Sequence, residues 1–463
     1  MCGIVGVSNH KDAAKIAFLG LYALQHRGEE AAGIVSYDGK RIYMHKATGL
    51  VADTFSEEAI KNLRGKTAIA HSRYSTTGSS NTKNIQPFFV THKNIPIAVS
   101  HNGNLTNTET LYKRLEEEGS IFQTTMDSEL FVHLLAKTKN GDLQAWFTKI
   151  LKEVEGAYSV VFLVGDVLVG ARDPQGFRPL CLGKIDEASY VLASETCALD
   201  LVKAQFIREI EPGEIVLIKD GKIESCFLPM EKSQNKSYCI FENIYFARPD
   251  SNIFDDNVYE VRKRLGAQLA REYPVKTADF VMAIPDSGNY AALGYAQELN
   301  IPLEIGMIRH HYIGRTFIQP SQFLRDFKVR VKLNPISHVL KDKKVIVVED
   351  SIVRGTTSRS RIEEIRKSGA REIHMRISCP PIKFPCFYGI DFPDKKELVA
   401  ANKTVQEIAD FIKVDSLEYL SLEGMLKVMK NSQNFCHACF SGKYPAPTPK
   451  TKSKYVLERA MAR

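Results

Sequence analysis

Two stretches of this sequence hold side chains at spacings suited to bond-making chemistry. Residues 345–358 read VIVVEDSIVRGTTS. Four consecutive apolar, β-branched residues predict a buried strand, with Glu349 and Asp350 where it ends, placed to accept hydrogen bonds from ribose hydroxyls. Gly355 permits close backbone approach, and Thr356, Thr357 and Ser358 bring hydroxyls and backbone N–H groups to the start of a helix carrying Ile362 and Ile365. That positive helix end suits a monophosphate, although ordinary helix capping also favours Ser and Thr there. No Gly-Lys-Ser/Thr follows, so the loop is not of the ATP-hydrolysing kind. At the other end of the chain, Cys2 tips the apolar run Gly3-Ile4-Val5-Gly6-Val7. Loss of Met1 would give Cys2 a free α-amine of pKa about 7.7–8.0, neutral often enough to take the thiol proton directly or through water. Nucleophile and base would then be one residue.

Glutamine hydrolysis needs what the next hundred residues supply. A thiolate attacks the amide carbon, and the resulting oxyanion needs donors such as the Asn102 side chain and the Gly103 backbone N–H. Arg73 is the cation for the substrate α-carboxylate. Asp127 suits the α-ammonium, and it or Ser128 equally suits the cap of the following helix. Thr106 and Glu109 predict a capping box for a helix carrying Leu111 and Leu115 and closed by Gly119. The segments CGIVG, QHRG, HSRYSTTG, HNGN and TMDS together resemble the class II, N-terminal-nucleophile glutaminase domain of amidotransferases. That resemblance assigns Cys2, Arg73, Asn102, Gly103 and Asp127 the roles just argued, and implies a four-layer αββα sandwich.

Downstream, apolar residues 281–284 predict a second buried strand, ending at Pro285 and followed by Asp286-Ser287-Gly288-Asn289 and a small-residue helix. Two strand-loop-helix units meeting at one edge of a parallel sheet build a ligand crevice. Ser287 then joins Glu349 and Asp350 as a partner for pyrophosphate and Mg2+, a metal that prefers oxygen ligands and substrate phosphates. Between the units, residues 314–335 are rich in cations, Lys332 among them; as a group they suit a lid over a diphosphate, although each alone reads as solvated. The string ED-S-x-x-R-G-T-T, with Ser351 and Arg354, resembles the signature of type I phosphoribosyltransferases, which share phosphoribosyl pyrophosphate (PRPP) as substrate. With both halves in one chain, the sequence resembles the amidophosphoribosyltransferases. The resemblance implies transfer of ammonia from glutamine to C1 of PRPP, the first committed step of purine biosynthesis. It also implies a homotetramer inhibited by purine nucleotides. A PRPP-sensing regulator without catalysis, or amination of another sugar phosphate, are the alternatives.

Nine cysteines in 463 residues are too sparse for a disulfide scaffold. Cys436 and Cys439 have a C-x-x-C spacing that zinc or redox chemistry explains equally. The surroundings of Cys239, Cys386, Cys436 and Cys439 resemble those in the iron-sulfur subset of the family, which implies a 4Fe-4S cluster on these four thiolates. A net charge of +8 suits an anionic substrate, and the absence of recognisable nucleic-acid modules argues against nucleic acid as partner. No run approaches the apolar length of a membrane span, so a cytoplasmic protein without membrane contact is expected. The expected fold is α+β and α/β: a glutaminase domain over 1–230, a phosphoribosyltransferase parallel-sheet domain over 238–442, and a basic, Pro-rich, solvated tail over 443–463.

Overall fold

A computed structural model describes residues 1–74, 81–138, 141–229, 235–310, 333–392, 394–451 and 457–458. Two antiparallel sheets make the first half. Gly3–Ser8 lies inside a seven-stranded sheet, between Tyr190–Ala193 and Thr67–Arg73. Ile95–Leu105 and Gly156–Val164 are neighbours inside a six-stranded one.

Alternation along each strand explains the layering, because successive side chains point to opposite faces. Ile4, Ile69, Val161, Leu168 and Leu192 fill the space between the sheets. Val5, Ala70 and Val191 face the opposite way, onto helix Ala13–Ala23. Val160 and Phe162 do the same for the second sheet, against helices Thr108–Glu117, Ser128–Ala136 and Leu143–Leu151. The result is the helix-sheet-sheet-helix order expected. Gly6 sits where the sheets approach, and a Cβ there would meet Val161 and Leu168 side chains at 2.6 and 2.8 Å.

The second half holds a parallel sheet in the order Phe280–Ala283, Lys344–Glu349, Glu372–Ile377, Ser416–Tyr419. Its first two strands are followed by the expected loops and by helices Asn289–Leu299 and Thr356–Lys367. Helix Val258–Glu272 buries Val258, Val261, Leu265 and Leu269, as its spacing predicts. Among the described residues no helix is long and apolar enough to cross a membrane.

One local expectation fails and another holds only in part. The Thr106–Glu109 capping box does not form: the cap of Thr108–Glu117 is Asn107, whose side chain is tied to the Glu153 carbonyl and the Glu155 N–H at 2.8 and 3.1 Å. Those ties start the helix one residue later, and Glu109 instead pairs with Lys113 and accepts from the Thr451 hydroxyl. The segment after residue 442 is solvated only in part where it is described: Lys443, Pro445, Pro447, Thr448 and Lys450 are exposed. The Tyr444 hydroxyl donates to the Pro385 carbonyl, Tyr388 bonds Ala446, and Leu457 is buried in the helical layer of the first half.

Candidate functional site

Cys2 lies one residue before the Gly3–Ser8 ladder, which begins with Gly3 opposite Ser72. Side chains therefore hold its backbone. The Cys2 N–H donates to Asn102 Oδ1 at 3.1 Å, and the Arg27 Nε–H donates to the Cys2 carbonyl at 2.9 Å. The thiol faces the Tyr74 carbonyl at 3.5 Å. With Oδ1 spent on Cys2, the Asn102 Nδ2 group is buried without a hydrogen-bond partner among the described residues. An unmet amide donor beside a nucleophile is what a developing oxyanion needs. Gly103 follows on the same strand, and a Cβ there would meet the Ala157 carbonyl at 2.0 Å, so only glycine allows this approach.

Arg73 ends Thr67–Arg73, is buried, and donates to the Asn84 carbonyl. Burial lowers its pKa, while Cys2, Glu30 and Asp127 all lie within electrostatic reach and oppose that shift. Asp127 precedes helix Ser128–Ala136 without capping it; its carboxylate accepts the Leu105 N–H at 3.0 Å and stands 3.4 Å from His101 Nδ1. Burial works against its charge, but His101 and the Leu105 N–H hold it below the ordinary carboxylate range. His101, also penalised by burial, is in turn raised by Asp127. The structure thus gathers Cys2, Arg73, Asn102, Gly103 and Asp127, and adds His101, which motif spacing had not singled out. Of the HSRYSTTG segment, residues 75–78 lie outside the described residues.

In the second half, Glu349 and Asp350 end strand Lys344–Glu349 and are both buried. Burial pushes Glu349 up to about 7, with Asp350 adding to the rise and Arg361 opposing it. Asp350 is raised as well, again by burial, against hydrogen bonds from Ser287 and Ser351. Ser287 and Asp350 therefore meet across the two loops, and a Cβ on Gly288 would strike the Val348 carbonyl at 2.5 Å. Gly355 caps Thr356–Lys367 with φ +76°, the conformation its lack of a Cβ allows. Thr356 and Thr357 are exposed at the helix start. Ser358 departs from its expected place on a phosphate: it is buried and its hydroxyl donates to Glu349 Oε2 at 3.1 Å. One helical position turns it inward. Arg354 pairs at the surface with Glu397, and Lys332 lies outside the described residues. Arg361, one turn into the helix, pairs with Glu349 and carried no sequence signal of that role.

The four predicted cysteines come from separated segments. Cys239 pairs with Cys436 in a short parallel ladder, and the Tyr388 N–H donates to Cys386 Sγ at 3.4 Å. Cys439 is pushed up by burial and then by Cys386, Cys239 and Cys436, which places the four thiols in one neighbourhood. Among the described residues, however, no group of three or more His, Cys, Asp or Glu is close enough to hold a single metal ion. Nor is any of the nine thiols in a disulfide. The two halves meet around a buried ionic cluster. Arg27 donates from Nη1 and Nη2 to Glu242 at 3.0 and 2.8 Å and also pairs with Glu195; Arg178 stands 3.4 Å from Glu242. The Asn104 side chain donates to the Phe387 carbonyl at 3.0 Å.

Comparison with known proteins bears on the family and the fold. A model of the glutamine amidotransferase domain matches residues 71–201. The amidophosphoribosyltransferase of Methanocaldococcus jannaschii is 48% identical, over 96% of this chain and 98% of its own. Two solved structures share the whole fold. The allosteric regulatory enzyme of purine biosynthesis superposes with a TM-score of 0.92 at 44% identity, covering 99% of both chains. Glutamine PRPP amidotransferase from B. subtilis, complexed with ADP and GMP, gives 0.91 at 43% identity, covering 98% of this chain and 100% of its own.

Proposed function

This chain belongs to the amidophosphoribosyltransferase family, and from that premise we infer that it releases ammonia from glutamine at Cys2 and passes it to C1 of PRPP. The products are 5-phosphoribosylamine, glutamate and pyrophosphate, in the first committed step of purine biosynthesis. The observation that carries the first half is the unmet Asn102 Nδ2 beside Cys2. Glutamine binds with its α-carboxylate on Arg73 and its α-ammonium on Asp127. The Cys2 thiolate attacks the amide carbon, and Asn102 Nδ2 with the Gly103 N–H takes up the oxyanion. Its collapse breaks the C–N bond as the protonated Cys2 amine returns its proton to the leaving ammonia, and water then hydrolyses the glutamyl thioester to glutamate and free thiol. Removal of Met1 frees the Cys2 amine to act as base. An α-amine of ordinary pKa, about 7.7–8.0, is neutral in part near pH 7 and can accept the thiol proton.

In the second half PRPP takes its ribose on Glu349 and Asp350 and its 5-phosphate on the loop from Ser351 to Ser358, chiefly through Gly355, Thr356 and Thr357. Ser358 contributes from its backbone and orients Glu349. Two buried carboxyls held above their ordinary range fit a cation; with Ser287 they would hold Mg2+, which supplies charge neutralisation for the leaving pyrophosphate. Lys332, which lies outside the described residues, is the cation assigned to the diphosphate, and ammonia crosses between the sites out of contact with water. The mutual influence of the four thiols supports a 4Fe-4S cluster as the group that Cys239, Cys386, Cys436 and Cys439 would hold. Such a group would tie the C-terminal segment to the core. Purine nucleotides regulate a cytoplasmic homotetramer in this reading.

Two variants test the division of labour. Cys2→Ala abolishes glutamine-dependent pyrophosphate release and retains the reaction with ammonium. Asp350→Ala suppresses both. Full glutamine-dependent turnover in Cys2→Ala would sink the reading.

A further inference from the structure

Glu242 belongs to the second half of the chain, yet its carboxylate ends two bonds from the nucleophile's backbone. It accepts from both terminal nitrogens of Arg27, whose third edge, Nε–H, donates to the Cys2 carbonyl at 2.9 Å. A guanidinium is planar, so fixing two of its edges fixes the direction of the third. Arg27, Glu242, Glu195 and Arg178 are all fully buried, and the two cations balance the two carboxylates. Cys2 itself lies outside the strand ladder, with Asn102 at its N–H and Arg27 at its C=O.

We propose that Glu242 is a positioning residue for the Cys2 reaction, by which the phosphoribosyl half sets the attitude of the nucleophile through Arg27. The inference rests on the reading of Cys2 given above. Without the Glu242 carboxylate, Arg27 keeps Glu195 and His26's neighbourhood as its anchor and its Nε–H turns away from the Cys2 carbonyl. Arg73 and Asp127, which bind glutamine, are not part of this cluster, so binding survives while attack falters. The PRPP loop at Glu349 and Asp350 is likewise untouched.

The test is Glu242→Gln in the full-length enzyme, assayed side by side with glutamine and with ammonium as nitrogen source. The expected result is a loss of glutamine-dependent kcat of about 10- to 100-fold, the scale on which small misplacement of a reacting group acts. KM for glutamine and the ammonium-dependent rate stay close to those of the parent. Alkylation of Cys2 by a diazoketone analogue of glutamine slows in step with kcat. Should Glu242→Gln fail to fold, Glu242→Asp keeps the buried charge, draws the carboxylate back from Arg27 and reads the same contact. Parallel loss with both nitrogen sources, or no change with either, overturns the proposal. A parent enzyme that releases no pyrophosphate with glutamine overturns the underlying reading instead.

Discussion

Two buried acidic sites in this molecule are shifted in opposite directions from the ordinary carboxyl range. Asp127, in the glutaminase half, has a histidine and a backbone N–H against it and is held below the ordinary carboxylate range in spite of burial. Glu349 and Asp350, in the phosphoribosyl half, stand side by side and are pushed up by burial, Glu349 to about 7. The first site is complete: its charge is settled before glutamine arrives. In the second, burial outweighs the nearby Arg361 and Arg262, which offset it only in part, so a further cation would relieve the remaining desolvation cost. The two halves thus differ in how their buried carboxyls hold charge.

The largest effect that would break this comparison comes from Asp350. Replacement by Asn should lower the rate with glutamine and with ammonium alike by about 100-fold or more, as expected for a group that neutralises transition-state charge through its cation. A deficit confined to glutamine would move Asp350 out of the phosphoribosyl site. Asp127→Asn is the matched change in the other half. It should reduce kcat/KM for glutamine by about 10- to 100-fold, the usual cost of truncating a charged contact, and leave the ammonium reaction intact.

The pH dependences should also diverge. A carboxyl raised to about 7 is protonated in free enzyme below that pH and must release its proton to meet a cation. Affinity for Mg2+ with PRPP should therefore fall about tenfold for each pH unit below 7, with proton release visible by calorimetry in buffers of different ionisation enthalpy. Glutamine affinity should be flat across the same window, because Asp127 is depressed: its stabilising charge is present above the ordinary carboxyl range and is lost only as pH falls through its lowered value. The smallest effect concerns what ties the halves together. Leu457→Ala should cost about 2–3 kcal/mol of stability, read by denaturant unfolding, with the transition of the glutaminase half moving first.

Much of the site could be read along the chain because its parts are contiguous. Cys2, the Asn102-Gly103 pair and the run from Glu349 to Thr357 each put their chemistry within a few residues, where strand alternation and helix starts dictate direction. The four-layer order was what the resemblance to the glutaminase domain implied, and the many short β-rich runs of the first half agree with it. Ser358 shows the limit even there, since one position along a helix turned its hydroxyl from solvent to Glu349.

What the sequence by itself determined was the inventory: a thiol nucleophile, its oxyanion donors, an acidic strand end with a phosphate-sized loop, and the sheets that carry them. What the tertiary structure alone decided was which distant groups bond to one another. Arg27 and Glu242 stand 215 residues apart, Asn104 and Phe387 stand 283 apart, and Glu109 meets Thr451 across 342. Hydrophobic periodicity reports the local geometry of one element and carries nothing about the burial of one charge against another. The fate of a buried carboxylate depends on its partner, and partners are set by packing.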